Sequence, residues 1–219
     1  MRKLVVDTFL TLDGVMQGPG AAEEDPTGGF THGGWSATYW DDLIDEVKLA
    51  WMGRPFDLLL GRKTYEIFAA FWPFVHEPPA DILNSARKYV ASRTLDRVEW
   101  DNSTLLEGDV ADAVAGLKAQ DGPEIQVHGS GNLIQTLLEH DLVDEIRLMV
   151  FPIVLGTGKR LFESGAIPVG LRLTDSKTAS TGVIIATYER DGEINYGSFA
   201  TGEPFEVEIE RRQRLAAAG

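Results

Sequence analysis

The sequence predicts an α/β fold: a three-layer sandwich with a mostly parallel central sheet, an antiparallel edge and helices on both faces. Three observations lead there. Short apolar runs alternate with stretches of helical period along most of the chain, the pattern of strands joined by crossover helices. The last two apolar runs have no helix between them and so pair antiparallel at one edge. Glycine-bearing turns follow several of the strands, where open α/β sheets meet their ligands.

Leu4 to Phe9 reads as the opening strand. The loop after it, from about Asp13 to Gly34, is rich in glycine, proline and acid. Its length points either to a functional lid or to disorder. Tyr39 to Met52 carries Trp40, Leu43, Ile44, Val47 and Trp51 at helical spacing, and Gly53-Arg54-Pro55 stops it. Phe56 to Leu60 is a buried strand ending at Gly61, and Thr64 to Ala70 is a second helix ended by Trp72-Pro73. Glu77 to Ala80 reads as a proline-bearing loop. Tyr89 to Ala91 is a short strand, and Thr104 to Leu106 another. Asp109 is a suitable N-cap for a helix over Val110 to Gln120, closed by Gly122-Pro123.

The segment from Gln126 to Glu163 is the most informative. Ile125 to His128 is a buried strand, then Gly129, Ser130 and Gly131 turn the chain, and Leu133, Ile134, Leu137 and Leu138 recur at helical spacing. Backbone N–H groups at such a helix start can hold a phosphate, and glycine lets the ligand come close. Glu145 to Phe151 is the next strand, and Gly156 to Lys159 a second glycine turn. Leu171 to Lys177 and Val183 to Glu189 form the closing pair. Residues 1–190 make one domain. Residues 191–219 are a charged extension in which Phe205 to Ile209 alternates like an edge strand and Leu215 to Gly219 frays.

Composition narrows the function classes. The 219 residues are 43% hydrophobic, carry a net charge of −14 and include no cysteine. Disulfides, thiolate catalysis and zinc–thiolate sites are excluded. The acidic balance disfavours nucleic acid and anionic membranes. With no signal-like start and no run of membrane-spanning length, a soluble cytoplasmic protein is expected. His32, His76, His128 and His140 have no ligand spacing, so no metal is expected. Ile134 stands where a dinucleotide fingerprint needs its third glycine, Ile153 where a P-loop needs its first, and no G-x-S-x-G is present. Clustered cations beside glycines or hydroxyls, at Gly61-Arg62-Lys63, Ser92-Arg93-Thr94 and Gly158-Lys159-Arg160, are candidates for one specific anion.

The pieces TLDGVM, LLLGRKTYE, YVASRTL, VHGSGNLIQTLL and LVDEIRLMVFPIVLGTGKRLF together resemble the dihydrofolate reductase-like family. More closely, they resemble its branch related to the reductase domain of bacterial riboflavin biosynthesis, the RibD C-terminal domain. The resemblance spans residues 3 to about 190. It implies a dihydrofolate reductase-like fold, NADPH as cofactor, hydride transfer to a small heteroaromatic or carbonyl substrate, and a homodimer. Gly61, Arg62, Lys63 and Thr64 match the family segment at the cofactor's pyrophosphate and 2′-phosphate side. Ser92, Arg93 and Thr94 match the turn that holds the adenosine 2′-phosphate. Gly129, Ser130, Gly131, Asn132 and Leu133 match the turn under the pyrophosphate. The resemblance puts Gly156 and Gly158 beside substrate or nicotinamide, the alternative being a plain tight turn; Asp13 is either a turn-former before Gly14 or a substrate-side residue, with Met16 then on the substrate side too. Trp35 is a candidate to stack on a ring. The family's proton-donating carboxylate lies on the first long helix. Counting back from GRKTY puts Asp45 there, with Asp41 and Asp42 as alternatives. A rival reading is a protein of this fold that binds NADPH or a nucleotide without turnover.

Overall fold

The computed structural model of the protein describes residues 1–162, 167–200 and 202–218. Eight strands form one sheet: β1 (Leu4–Thr11), β2 (Phe56–Gly61), β3 (Lys88–Ala91), β4 (Ser103–Leu105), β5 (Glu124–His128), β6 (Glu145–Phe151), β7 (Leu171–Thr178) and β8 (Ile184–Arg190), in the order β4-β3-β2-β5-β1-β6-β8-β7. The pairs from β4 to β6 are parallel; β8 joins β6, and β7 joins β8, antiparallel. The expected mostly parallel sheet with an antiparallel edge is therefore present.

Among the described residues, six α-helices accompany the sheet: α1 (Asp42–Met52), α2 (Arg62–Ala69), α3 (Pro78–Ser85), α4 (Val110–Ala119), α5 (Gly131–Glu139) and α6 (Glu206–Ala218). Alternate strand residues bury opposite faces. Leu4, Val6, Leu10 and Leu59 pack with Val114 and Leu117 of α4 and Leu133, Ile134 and Leu137 of α5. Leu58, Leu60 and Val90 pack on the other side with Met52 of α1, Tyr65 of α2 and Leu83 of α3. Among the described residues, no helix is long and apolar enough to cross a membrane.

Two elements differ from the sequence expectation. The proline-bearing loop at Glu77–Ala80 begins a helix instead, with Pro78 and Pro79 in its first turn. Proline fits there because those N–H groups have no intrahelical partner. Most of the expected edge strand at Phe205–Ile209, from Glu206 on, and the expected frayed end from Leu215 lie in α6; Gly219 is outside the described residues, as is Glu163. The apolar–acidic alternation is overridden by good helix formers and by Glu208, which pairs with both Arg211 and Arg212 one turn on.

Strand lengths shape the ligand-facing edge. Asp7 of β1 lies opposite His128, the last residue of β5, yet β1 and β6 run on together to Thr11 and Phe151. β2 pairs with β5 up to Leu58–Gln126, so Gly61 and Gly129 leave the sheet side by side. The edge is stepped, low at β2 and β5 and high at β1 and β6.

Candidate active site

The sheet order brings the ends of β3, β2, β5 and β1 next to one another. Two helices begin at the low part of this edge. Neither α2, entered through Gly61, nor α5, entered through Ser130, has a side-chain cap, so their first-turn N–H groups remain available to a ligand. Ser130 joins the two turns. Its Oγ accepts from the Gly61 N–H at 2.9 Å and donates to Thr64 Oγ1 at 2.7 Å. It does so from a left-handed backbone, φ 68°, which costs a non-glycine residue about 1–2 kcal/mol. The turns touch so closely that a Cβ on Gly61 would sit 3.1 Å from Ser130 Cβ, and one on Gly131 would sit 3.2 Å from Met16 Sδ. Gly61 and Thr64 of one turn and Ser130 of the other are thus held together directly.

The cations line its β3 side. Arg62 donates from Nε to Glu66 at 2.8 Å and from Nη1 to Thr94 Oγ1 at 2.5 Å. The Ser92 Oγ accepts from the N–H groups of Thr94 and Leu95, shaping that turn. Lys63 and Arg93 are exposed, with no ion pair among the described residues. A groove of about 880 Å³ runs on from Thr94 and Leu95 between Glu66, Phe74 and Trp100.

On the high side, Asp13 is the hub of a loop pair. Its carboxylate accepts from Thr11 Oγ1 at 2.6 Å, from the N–H groups of Leu155 and Gly156, and from Arg160 at 3.2 Å. The Thr11 hydroxyl, reinforced by those amides, holds its pKa far below the usual carboxylate range. Val15 bridges Arg160, Gln17 accepts from the Lys159 N–H, and Lys159 pairs with Asp25. A Cβ on Gly158 would strike Val15 and Phe30 at under 3 Å. Trp35 is 8% exposed, donates to the Gln17 carbonyl at 2.8 Å and packs edge-on against Phe151. The segment expected to be a lid or disordered is thus folded onto the core. Asp13, Gly156, Gly158 and Trp35 make these contacts within the protein, and Met16 reaches the α5 turn at Gly131.

The carboxylates of α1 are at the surface. Asp41 caps the helix through Ile44 and accepts from Ser180, whose hydroxyl lowers its pKa. Asp45 accepts from Trp40 Nε1 at 2.7 Å and is exposed, as is Asp42. None of the three is buried.

A buried charged cluster lies beneath the step. Asp7 Oδ2 accepts from Lys48 Nζ at 2.7 Å and lies 3.8 Å from His128 Nε2. The Gln126 amide donates to the Trp51 carbonyl and to Glu124, which turns its oxygen toward His128 Nε2 at 2.8 Å. His128 therefore carries its proton on Nε2, and burial pushes its pKa down to about 4. Burial opposes the charge on Asp7, yet Lys48 and its neighbours hold its pKa below the ordinary value. Two signals marked the cluster in the sequence: a lone acid inside LVVDTFL, and a lysine between Val47 and Trp51 on the apolar face of its helix.

Comparison with known proteins agrees with this architecture. The sequence profile of the RibD C-terminal domain matches residues 2–185. The chain belongs to that family. It is 28% identical over 200 residues to YyaP of Bacillus subtilis (strain 168), covering 87% of this chain and 96% of that protein. A protein of Shewanella sp. PV-4 assigned to riboflavin biosynthesis superposes with a TM-score of 0.63 at 25% identity, covering 86% of this chain and 99% of that one. The dihydrofolate reductase of Enterococcus faecalis, complexed with NADP(H), superposes with a TM-score of 0.55 at 15% identity, covering 86% and 96%. The fold is that of dihydrofolate reductase, and the domain is of a reductase family.

Proposed function

We propose that the protein is an NADPH-dependent reductase of a small heteroaromatic or carbonyl substrate. The observation that carries this is the meeting of two uncapped helix starts at Ser130, with Arg62 of the first helix turn bonded to Thr94 in the turn that carries Arg93. The residues fit a dinucleotide. Gly61 and Gly131 leave room that any side chain would fill, and the free N–H groups of α2 and α5 suit a pyrophosphate. Arg62, Lys63, Arg93, Ser92 and Thr94 would hold the 2′-phosphate through charge-assisted bonds. Gly129, Ser130, Gly131, Asn132 and Leu133 would hold the pyrophosphate. NADPH would supply a hydride, and the protein would bind and orient it while Met16 and the high side of the edge limit water.

Titration of NADPH and NADH tests the reading. Arg93→Ala should weaken NADPH by about 1–3 kcal/mol, the scale of a charged hydrogen bond, and leave NADH nearly unchanged. Equal loss for both would remove the phosphate role. Tight NADPH binding without turnover on pterin, pyrimidine or carbonyl substrates would favour the rival, a binding protein of this fold. A homodimer is part of the proposal. The eight residues of β7 are exposed at the sheet edge, and an uncovered edge invites pairing.

A further inference from the structure

The buried cluster under the step has hydrogen-bonding capacity that the fold does not use. An ammonium has three N–H donors. Lys48 Nζ gives one to Asp7 Oδ2, and no other hydrogen bond takes it among the described residues. Asp7 Oδ1 is buried with no hydrogen-bond partner among the described residues. A buried carboxylate oxygen without a donor costs about 1–3 kcal/mol or more, a cost that a water, an ion or a ligand atom offsets. The spare donors and the spare acceptor lie on one ion pair.

Its position gives the surplus a use. Asp7 is level with His128, one residue before Gly129, and the Gly129 N–H points at the Asp7 carbonyl. The Asp7 side chain is 1% exposed and that of Lys48 16%. The ammonium lies 5.4 Å from the Phe9 ring and 5.8 Å from the Trp51 ring, and Phe9 meets Trp40 edge-on. A flat ring entering from the low edge would find aromatic walls and a cation. The other charged or titratable groups acting on Asp7 are His128 of β5 and Arg147 of β6, and Arg147 is itself paired with Glu124 and Glu145.

We propose that Lys48, held by Asp7, is the proton donor to the reduced substrate, in place of a helix carboxylate. This rests on the reductase reading above. The substrate carries a C=O or C=N bond whose heteroatom accepts from Lys48 Nζ. Two electrons and a hydrogen arrive as hydride from a dihydronicotinamide, and a C–H bond forms. The π bond breaks, and its pair moves to the heteroatom. The heteroatom takes a proton from Lys48, whose N–H bond breaks. The neutral amine recovers its proton from water through its exposed face. Asp7 is a positioning residue: its carboxylate, 2.7 Å from the ammonium, keeps it aimed between turnovers.

The test uses Lys48→Ala, Asp7→Asn and the double variant, with dihydrofolate and phenanthrenequinone as probes and NADPH affinity measured separately by fluorescence. Lys48→Ala strands the Asp7 charge, so the double variant, which removes that charge, serves if the single one does not fold. The expected result is NADPH affinity within twofold of wild type, kcat reduced 100- to 1,000-fold and KM little changed. Methylamine should restore at least tenfold of the lost rate in the Lys48→Ala background, which a packing role would not allow. Asp7→Asn should lower kcat with KM little changed. In the cofactor-free protein, lysine-selective ¹⁵N NMR should show the Lys48 ammonium resonance displaced in Asp7→Asn, because its hydrogen bond to the carboxylate is lost. Turnover by Lys48→Ala at the wild-type rate, a loss confined to KM or to NADPH affinity, or no amine rescue would overturn the assignment while leaving the reductase reading intact. A wild type that binds NADPH and reduces neither probe overturns both.

Discussion

Gly61→Ala tests the joint on which the phosphate surface depends. The added methyl would lie 3.1 Å from Ser130 Cβ and 3.2 Å from its Oγ, closer than ordinary contact by several tenths of an ångström. Ser130 cannot easily retreat. Its Oγ is tied to the Gly61 N–H and to Thr64, and its backbone is already left-handed. Overpacking at such a site costs about 1–3 kcal/mol. Ser130→Gly removes both crowding atoms. It loses hydrogen bonds worth about 1 kcal/mol each and regains a similar amount of backbone strain. The double variant should then be more stable than the two single effects predict, by about 1 kcal/mol or more. Equilibrium urea unfolding of the four proteins measures this coupling. NADPH titration of Gly61→Ala should show about tenfold weaker binding, equivalent to 1.4 kcal/mol. Additivity within about 0.5 kcal/mol, with unchanged NADPH affinity, would refute the account of the two turns as one interlocked surface.

Two further expectations concern buried titratable groups. His128 has its pKa depressed to about 4, against an ordinary value near 6.5, so the unfolded chain takes up the proton first. Stability should be full above pH 6.5 and fall as pH drops toward 4, by on the order of 3 kcal/mol from this group. Unfolding followed across that range, with His128→Leu flattening the slope, checks it. Lys88 is fully buried, donates to the carbonyls of Asn84, Ala86 and Asp101, and has its pKa lowered by burial to about 8. Lys88→Met should destabilise the protein by about 3 kcal/mol or more, because three carbonyls lose their donor. A thermal midpoint equal to wild type would contradict it.

The parts legible in the sequence are those fixed by local rules. Gly61 and Gly129 close apolar runs, and the structure sets them side by side because β2 and β5 pair in register. Asp109 was readable as a cap because its carboxylate meets the N–H groups of Ala111 and Asp112, an interaction within three residues. The α3 helix was hidden because its start is Pro78-Pro79, the usual sign of a loop. In α6, a period of two was written over residues whose helical charge pairs decide the matter. Asp7 and Lys48 are 41 positions apart, and their pairing needs the packing of α1 on the sheet, which no local rule reports. The fold of the Asp13 loop likewise depends on partners more than 100 residues away, at Leu155 to Arg160.

The unequal strand ends have a consequence for selectivity. β1 and β6 stand four residues above the end of β5, so the top of the sheet is a ledge against a wall. An elongated guest laid along the ledge is stopped at one end and free at the other. Its two halves are told apart by backbone relief alone, before any side chain distinguishes their chemistry. Homologues could exchange the residues on the wall, and with them the molecule processed, without disturbing the shelf that seats the common part.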